Sequence, residues 1–176
     1  MKKAVLFLVV IASVLLAVSC ASKDSVDTKD MPDWFLNVPV AEDAYYASGM
    51  YKSQNPQMAI TAATSQARDE IARQVNLQVS NAVKSYAQEA GVDGDSQVIN
   101  FIETVSKQIA DTTLSGSKVI EKHMSKDGTV YVLVMYEKSA LKDSALSEFQ
   151  RNESAAFAEF KASEAMKWLD NELETK

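Results

Sequence analysis

One cysteine and one histidine are all that 176 residues offer of the side chains most used for metal binding and nucleophilic attack. A lone cysteine, Cys20, excludes an internal disulfide. His123 with no second histidine excludes a zinc site, which needs several His or Cys ligands. Only five glycines are present, and no glycine-rich loop follows a strand pattern to cradle phosphate. Positive charge is in deficit as well: 18 Lys and Arg stand against 24 Asp and Glu, for a net −6. Affinity for nucleic acid comes largely from neutralising phosphates with Lys and Arg, so nucleic acid is not an expected partner. The carboxylates are scattered without a recognisable catalytic pair, and no cofactor or enzymatic activity is expected. Asp93, Gly94 and Asp95 open like a calcium loop, but the sixth and twelfth positions are Val98 and Thr104, where glycine and glutamate are required.

What is present begins with an address. Lys2 and Lys3 precede an almost wholly apolar run over 4–16, then Ala17, Val18, Ser19 and Cys20. The run is shorter than the ~20 residues of a spanning helix, and small residues directly before a cysteine are the mark of a lipoprotein signal peptide. An ordinary secretory signal and a short uncleaved anchor are the other readings of such a leader. Only the lipoprotein reading gives Cys20 its position. Residues 1–19 are therefore expected to be removed and Cys20 to carry acyl chains such as palmitate, each buried methylene contributing about 0.8 kcal/mol. Ala17 stands where leucine is usual, a relaxation tolerated in spirochaete lipoproteins. The 157 residues that remain make one ordinary domain and carry −8, because Lys2 and Lys3 leave with the leader. Residues 20–31 read as the lipidated cysteine and a polar tether. Ala21 is not the aspartate that retains enteric lipoproteins in the inner membrane, so an outer-membrane location in the bacterial envelope is expected.

Periodicity predicts an α+β domain over 32–139 and a C-terminal helical extension over 140–176. Trp34 and Phe35 are large enough to pin the entering chain to a core. A strand is expected over 45–51, with Gly49 allowing a bulge or a close approach. Over 57–89 there is neither Gly nor Pro, and Ile60, Ala63, Ala67, Ile71, Val75, Val79, Val83 and Tyr86 recur at helical spacing. The small residues Ala59, Ala62, Ala63 and Ala67 suit close packing on a sheet, and Asp69 with Arg73 is an i,i+4 ion pair in sequence. A second helix carries Val98, Ile102, Val105 and Ile109, with Asp95 as its cap. Strands over 114–124 and 129–136 join at Asp127 and Gly128 into a hairpin. Both faces of the last strand are apolar: Val130, Val132 and Val134 on one, Tyr131, Leu133 and Met135 on the other. One face can take the long helix, and the other must take the second helix, the C-terminal helix or a second copy of the chain. A third helical region over 140–173 has a polar interruption at 151–154. Near its end Met166, Trp168 and Leu169 read as a partner surface, a coiled-coil seam or a docking face. Trp34, Tyr131, Leu133, Met135, Met166, Trp168 and Leu169 are accordingly the candidate interaction residues.

Pro32, Asp33 and Trp34; Tyr46, Ala47, Ser48 and Gly49; Ala62, Ala63, Thr64, Ser65, Gln66, Ala67 and Arg68; Ile71 and Ala72; and the run from Asp127 through Gly128, Thr129, Val130, Tyr131, Val132 and Leu133 occur in this order behind the lipobox. In that order and spacing the chain resembles the twenty-kilodalton membrane-associated lipoprotein family first described in Helicobacter. The resemblance implies a dodecin-like β-α-β-β fold, a small three-stranded antiparallel sheet curled round a long helix. It brings no catalytic residues. Members include surface lipoproteins and lipoproteins that build disks or rings around the flagellar motor, so a homo-oligomer or an envelope protein partner is implied, with the membrane contacted through the acyl chains on Cys20. A ligand-binding lipoprotein holding a lipid or aromatic molecule between sheet and helices, or a surface adhesin, is the alternative. The helices beyond Ala140 depart from a minimal member.

Overall fold

The computed structural model describes residues 30–92, 94–158 and 160–174. The elements in chain order are α1 (Asp33–Leu36), β1 (Ala44–Lys52), α2 (Pro56–Glu89), α3 (Ser96–Gly116), β2 (Lys118–Met124), β3 (Thr129–Glu137), α4 (Lys138–Asn152) and α5 (Ala162–Glu174). The three strands form one antiparallel sheet in the order β1-β3-β2. This is the α+β architecture expected, with a small sheet on a long helix.

The long helix starts sharply because Asn55 caps it, its Oδ1 accepting from the backbone N–H groups of Gln57 (3.0 Å) and Met58 (3.3 Å), with Pro56 in the first turn. Its 34 residues span about 50 Å at 1.5 Å each. Two different partners share that length. Near its start Ala59, Ala63 and Ala67 are fully buried against the sheet, whose inner face is Val130, Val132, Val134 and Tyr136 of β3 with Tyr45 and Ala47 of β1. Farther along, the buried residues enlarge to Val75, Val79, Val83 and Tyr86, and the neighbours become helices.

There α3 returns alongside α2, α4 leaves the end of β3 in the opposite direction, and α5 returns again. α2 packs on α3 and α5, and α4 packs on the same two. The result is a closed four-helix bundle of up-down-up-down order, sharing one hydrophobic core with the sheet. Val98, Phe101, Ile102, Val105 and Ile109 of α3 and Leu141, Ala145 and Phe149 of α4 are its buried stripes. The end remote from the sheet is closed by rings. Phe160 lies 4.4 Å from Phe101, 5.5 Å from Phe157, 5.7 Å from Phe149 and 5.8 Å from Tyr86, centroid to centroid.

Three expectations change. The segment over 114–117 is not strand: α3 runs to Gly116, with Thr113 fully buried on its packed stripe and the hydroxyls of Thr112, Thr113 and Ser115 satisfied by carbonyls four residues back. Arg73 does not take Asp69. It forms a two-pronged bond to Glu70, Nε to Oε2 at 2.8 Å and Nη2 to Oε1 at 2.6 Å, which lowers the Glu70 pKa. The outer face of β3 is covered by neither the second helix nor the C-terminal helix. The entering chain does it, with Phe35 of α1 edge-on to Tyr131 at 4.8 Å.

The polar stretch after Asn152 does interrupt the last helical region, as a 3-10 turn over Glu153–Ala155. The hairpin turn forms at Asp127 and Gly128, with Gly128 at φ +84° and its N–H on the Ser125 carbonyl.

Candidate interaction surfaces

The register of the sheet sets out its outer face in rows across β1, β3 and β2: Tyr46, Met135 and Lys118; Ser48, Leu133 and Glu121; Met50, Tyr131 and His123. At the centre Tyr131 is 5 % exposed and Leu133 2 % exposed. Phe35 stacks on Tyr131 from one side and the His123 ring lies 6.2 Å away on the other. These two candidates are therefore interior residues, and Met135 and Trp34 are half-buried. On α5, Leu169 is fully buried in the bundle while Met166 and Trp168 are half-buried against it. The two groups are not brought together: one belongs to the sheet, the other to α5 against α2 and α4. Docking onto the core accounts for Leu169, Tyr131 and Leu133, which leaves them nothing to offer a partner.

Sequence reasoning placed the strand β2 but none of its residues among the candidate surface. All seven of its residues are exposed, including Val119, Ile120 and Met124. Among the described residues its outer edge pairs with no strand, and a bulge between Val119 and Glu121 bends it. The signal was there in Lys118, Glu121 and Lys122: charges spread through a short strand mark a sheet edge. Two exposed ion pairs brace the hairpin. Lys118 meets Glu137 at 2.9 Å and lowers its pKa; Lys52 meets Asp127 at 2.8 Å. Asp127 also accepts from the N–H and hydroxyl of Thr129, both at 3.0 Å, and these bonds together hold its carboxyl down to about 2.

The space between sheet and long helix, where a ligand was to be sought, is filled. A Cβ on Gly49 would collide with the Ala63 carbonyl oxygen. Among the described residues no three His, Cys, Asp or Glu side chains gather as for a metal, and no helix is long and apolar enough to cross a membrane. The leader, Cys20 and the segment up to Lys29 lie outside the described residues.

Residues 32–137, more than half of the chain, match the model of the LPP20 lipoprotein family. The chain belongs to that family. No individual curated protein matches it in sequence. The LPP20 match begins beside α1 and ends on Glu137, the last residue of β3, so α4 and α5, half of the helical bundle, fall outside it. As an LPP20 lipoprotein the protein is associated with the membrane of the cell envelope through a lipid anchor.

Proposed function

We propose that this LPP20-family chain is a non-enzymatic structural lipoprotein of the bacterial envelope, held in the outer membrane by acyl chains on Cys20 and assembling through its sheet edge. The exposed edge of β2 carries the reading. A strand with unpaired N–H and C=O groups along one side is a template for another strand, from a second copy or from a larger envelope complex such as the flagellar apparatus. The bulge and the charges keep that edge from pairing indiscriminately, which suits an edge reserved for one partner.

Mild crosslinking in intact cells, followed by recovery of the tagged lipoprotein, tests this. Homo-multimers, or one envelope protein in near-equal amount, are the expected result, and Ile120→Pro in β2 should abolish them while leaving the protein in the membrane fraction. Recovery of the single chain alone at every crosslinker level overturns it. The anchor has its own test: Cys20→Ser should move the protein to the soluble fraction.

A further inference from the structure

The described chain begins at one end of the molecule. Asp30 is held there by its carbonyl oxygen, which accepts from the Ser125 hydroxyl at 3.0 Å. The same end holds the β2–β3 turn, the last residues of β1 and the first turn of α2, and Ser53 N–H bonds the Gly128 carbonyl across it. Ten residues separate Asp30 from Cys20. Even fully extended they span at most about 36 Å, less than the roughly 50 Å between this end and the ring-closed end of the bundle. An anchor on Cys20 therefore stops the ring-closed end from pointing straight at the bilayer and leaves the hairpin end free to rest on it.

That end is built differently from the rest of the surface. Tyr51, Val130 and Met124 form one row across the sheet, and the outer two are 40 % and 48 % exposed. Met58, in the first turn of α2, is 57 % exposed. Lys126 borders an open hollow of about 520 Å³ beside Met124, together with Lys52, whose charge is taken up by Asp127 on the same rim, and exposed Lys122 stands two residues away. Long apolar side chains ringed by lysines are what an interfacial membrane contact uses, the apolar atoms entering the headgroup boundary and the ammonium groups meeting phosphate. On the bundle, by contrast, Leu77, Ile99 and Leu146 are exposed singly on α2, α3 and α4.

We infer that the hairpin end is a membrane seat: Met58, Met124 and Tyr51 enter the interface of the phospholipid bilayer, with Lys122 and Lys126 against its phosphates, so that the bundle stands away from the membrane. The inference rests on the lipid anchor at Cys20. It adds an orientation, which the anchor alone does not confer.

The test uses the full lipidated chain in vesicles of phosphatidylethanolamine and phosphatidylglycerol. Lipid occupies the thiol of Cys20, so Met124→Cys and Ile99→Cys each offer a single thiol for a nitroxide label. At position 124 the label should be about threefold less accessible to a water-soluble nickel chelate than at 99, and more accessible to oxygen, as at a lipid interface. Adding Met58→Asp and Lys126→Glu should remove that difference while the protein stays with the vesicles. Equal accessibility at the two positions, in protein that floats with the vesicles, overturns the seat. Protection from both quenchers at 124 means burial against protein and overturns it too. A chain left in the supernatant with a reactive Cys20 thiol overturns the anchor, and the seat with it.

Discussion

Gly49 of β1 lies against the backbone of Ala63 in α2, so that a Cβ placed there would strike the Ala63 carbonyl oxygen and come within 2.9 Å of the Ala67 nitrogen. Both obstacles are main-chain atoms. No side-chain rearrangement relieves them, and the sheet would have to lift from the helix. Gly49→Ala should therefore cost at least about 1–3 kcal/mol in urea denaturation, and truncating Ala63 or Ala67 to glycine should not restore it.

Phe35 covers Tyr131 from a four-residue helix that has few other contacts. Phe35→Ala should lower stability by about 1–2 kcal/mol and raise binding of a hydrophobic dye as Tyr131 and Leu133 open to water. The neighbouring Leu36, 56 % exposed, provides the control. Leu36→Ala should change neither readout.

Phe160 joins rings from α2, α3, α4 and the α4–α5 connection. Phe160→Ala should cost about 3–5 kcal/mol. Hydrogen exchange should show the loss concentrated in α5, with β1 and β3 still protected, because α5 packs on α2 and α4 rather than on the sheet.

Asp127 titrates near 2 rather than at 3.8, held down first by Lys52 and then by Thr129. The folded protein thus binds this proton more weakly than the unfolded chain. Its contribution is complete above about pH 4 and is lost as pH falls through about 2. Melting temperatures measured between pH 5 and pH 2 should fall less steeply for Asp127→Asn than for the parent.

Tyr45 shows the opposite sign. Burial pushes its hydroxyl from 10.0 up to about 12, so the fold binds its proton more tightly than the unfolded chain does. Stability from this group is full below pH 10 and declines as pH rises through about 12. Absorbance titration should show a tyrosine ionising near 12, and Tyr45→Phe should remove that step.

Much of the fold was legible in residue order because its causes are local. Helical spacing of apolar residues from Ala59 to Tyr86, Asp95 as a cap, and Asp127 with Gly128 at a turn each act within a few residues of chain. The alanines at 59, 63 and 67 opposite Gly49 already stated that a helix and a strand would meet closely. Periodicity, though, says only that a face will be buried, never by what. Leu169, Tyr131 and Leu133 have the composition of a partner surface and are interior, because the bundle and α1 reached them first. β2 reads as an ordinary hairpin strand and lies wholly exposed, because α2 is wide enough to cover β1 and β3 alone. The sequence by itself thus determined most of the elements and the family. Which faces remain for a partner or a membrane was decided only by tertiary packing, since burial depends on contacts between residues far apart in the chain.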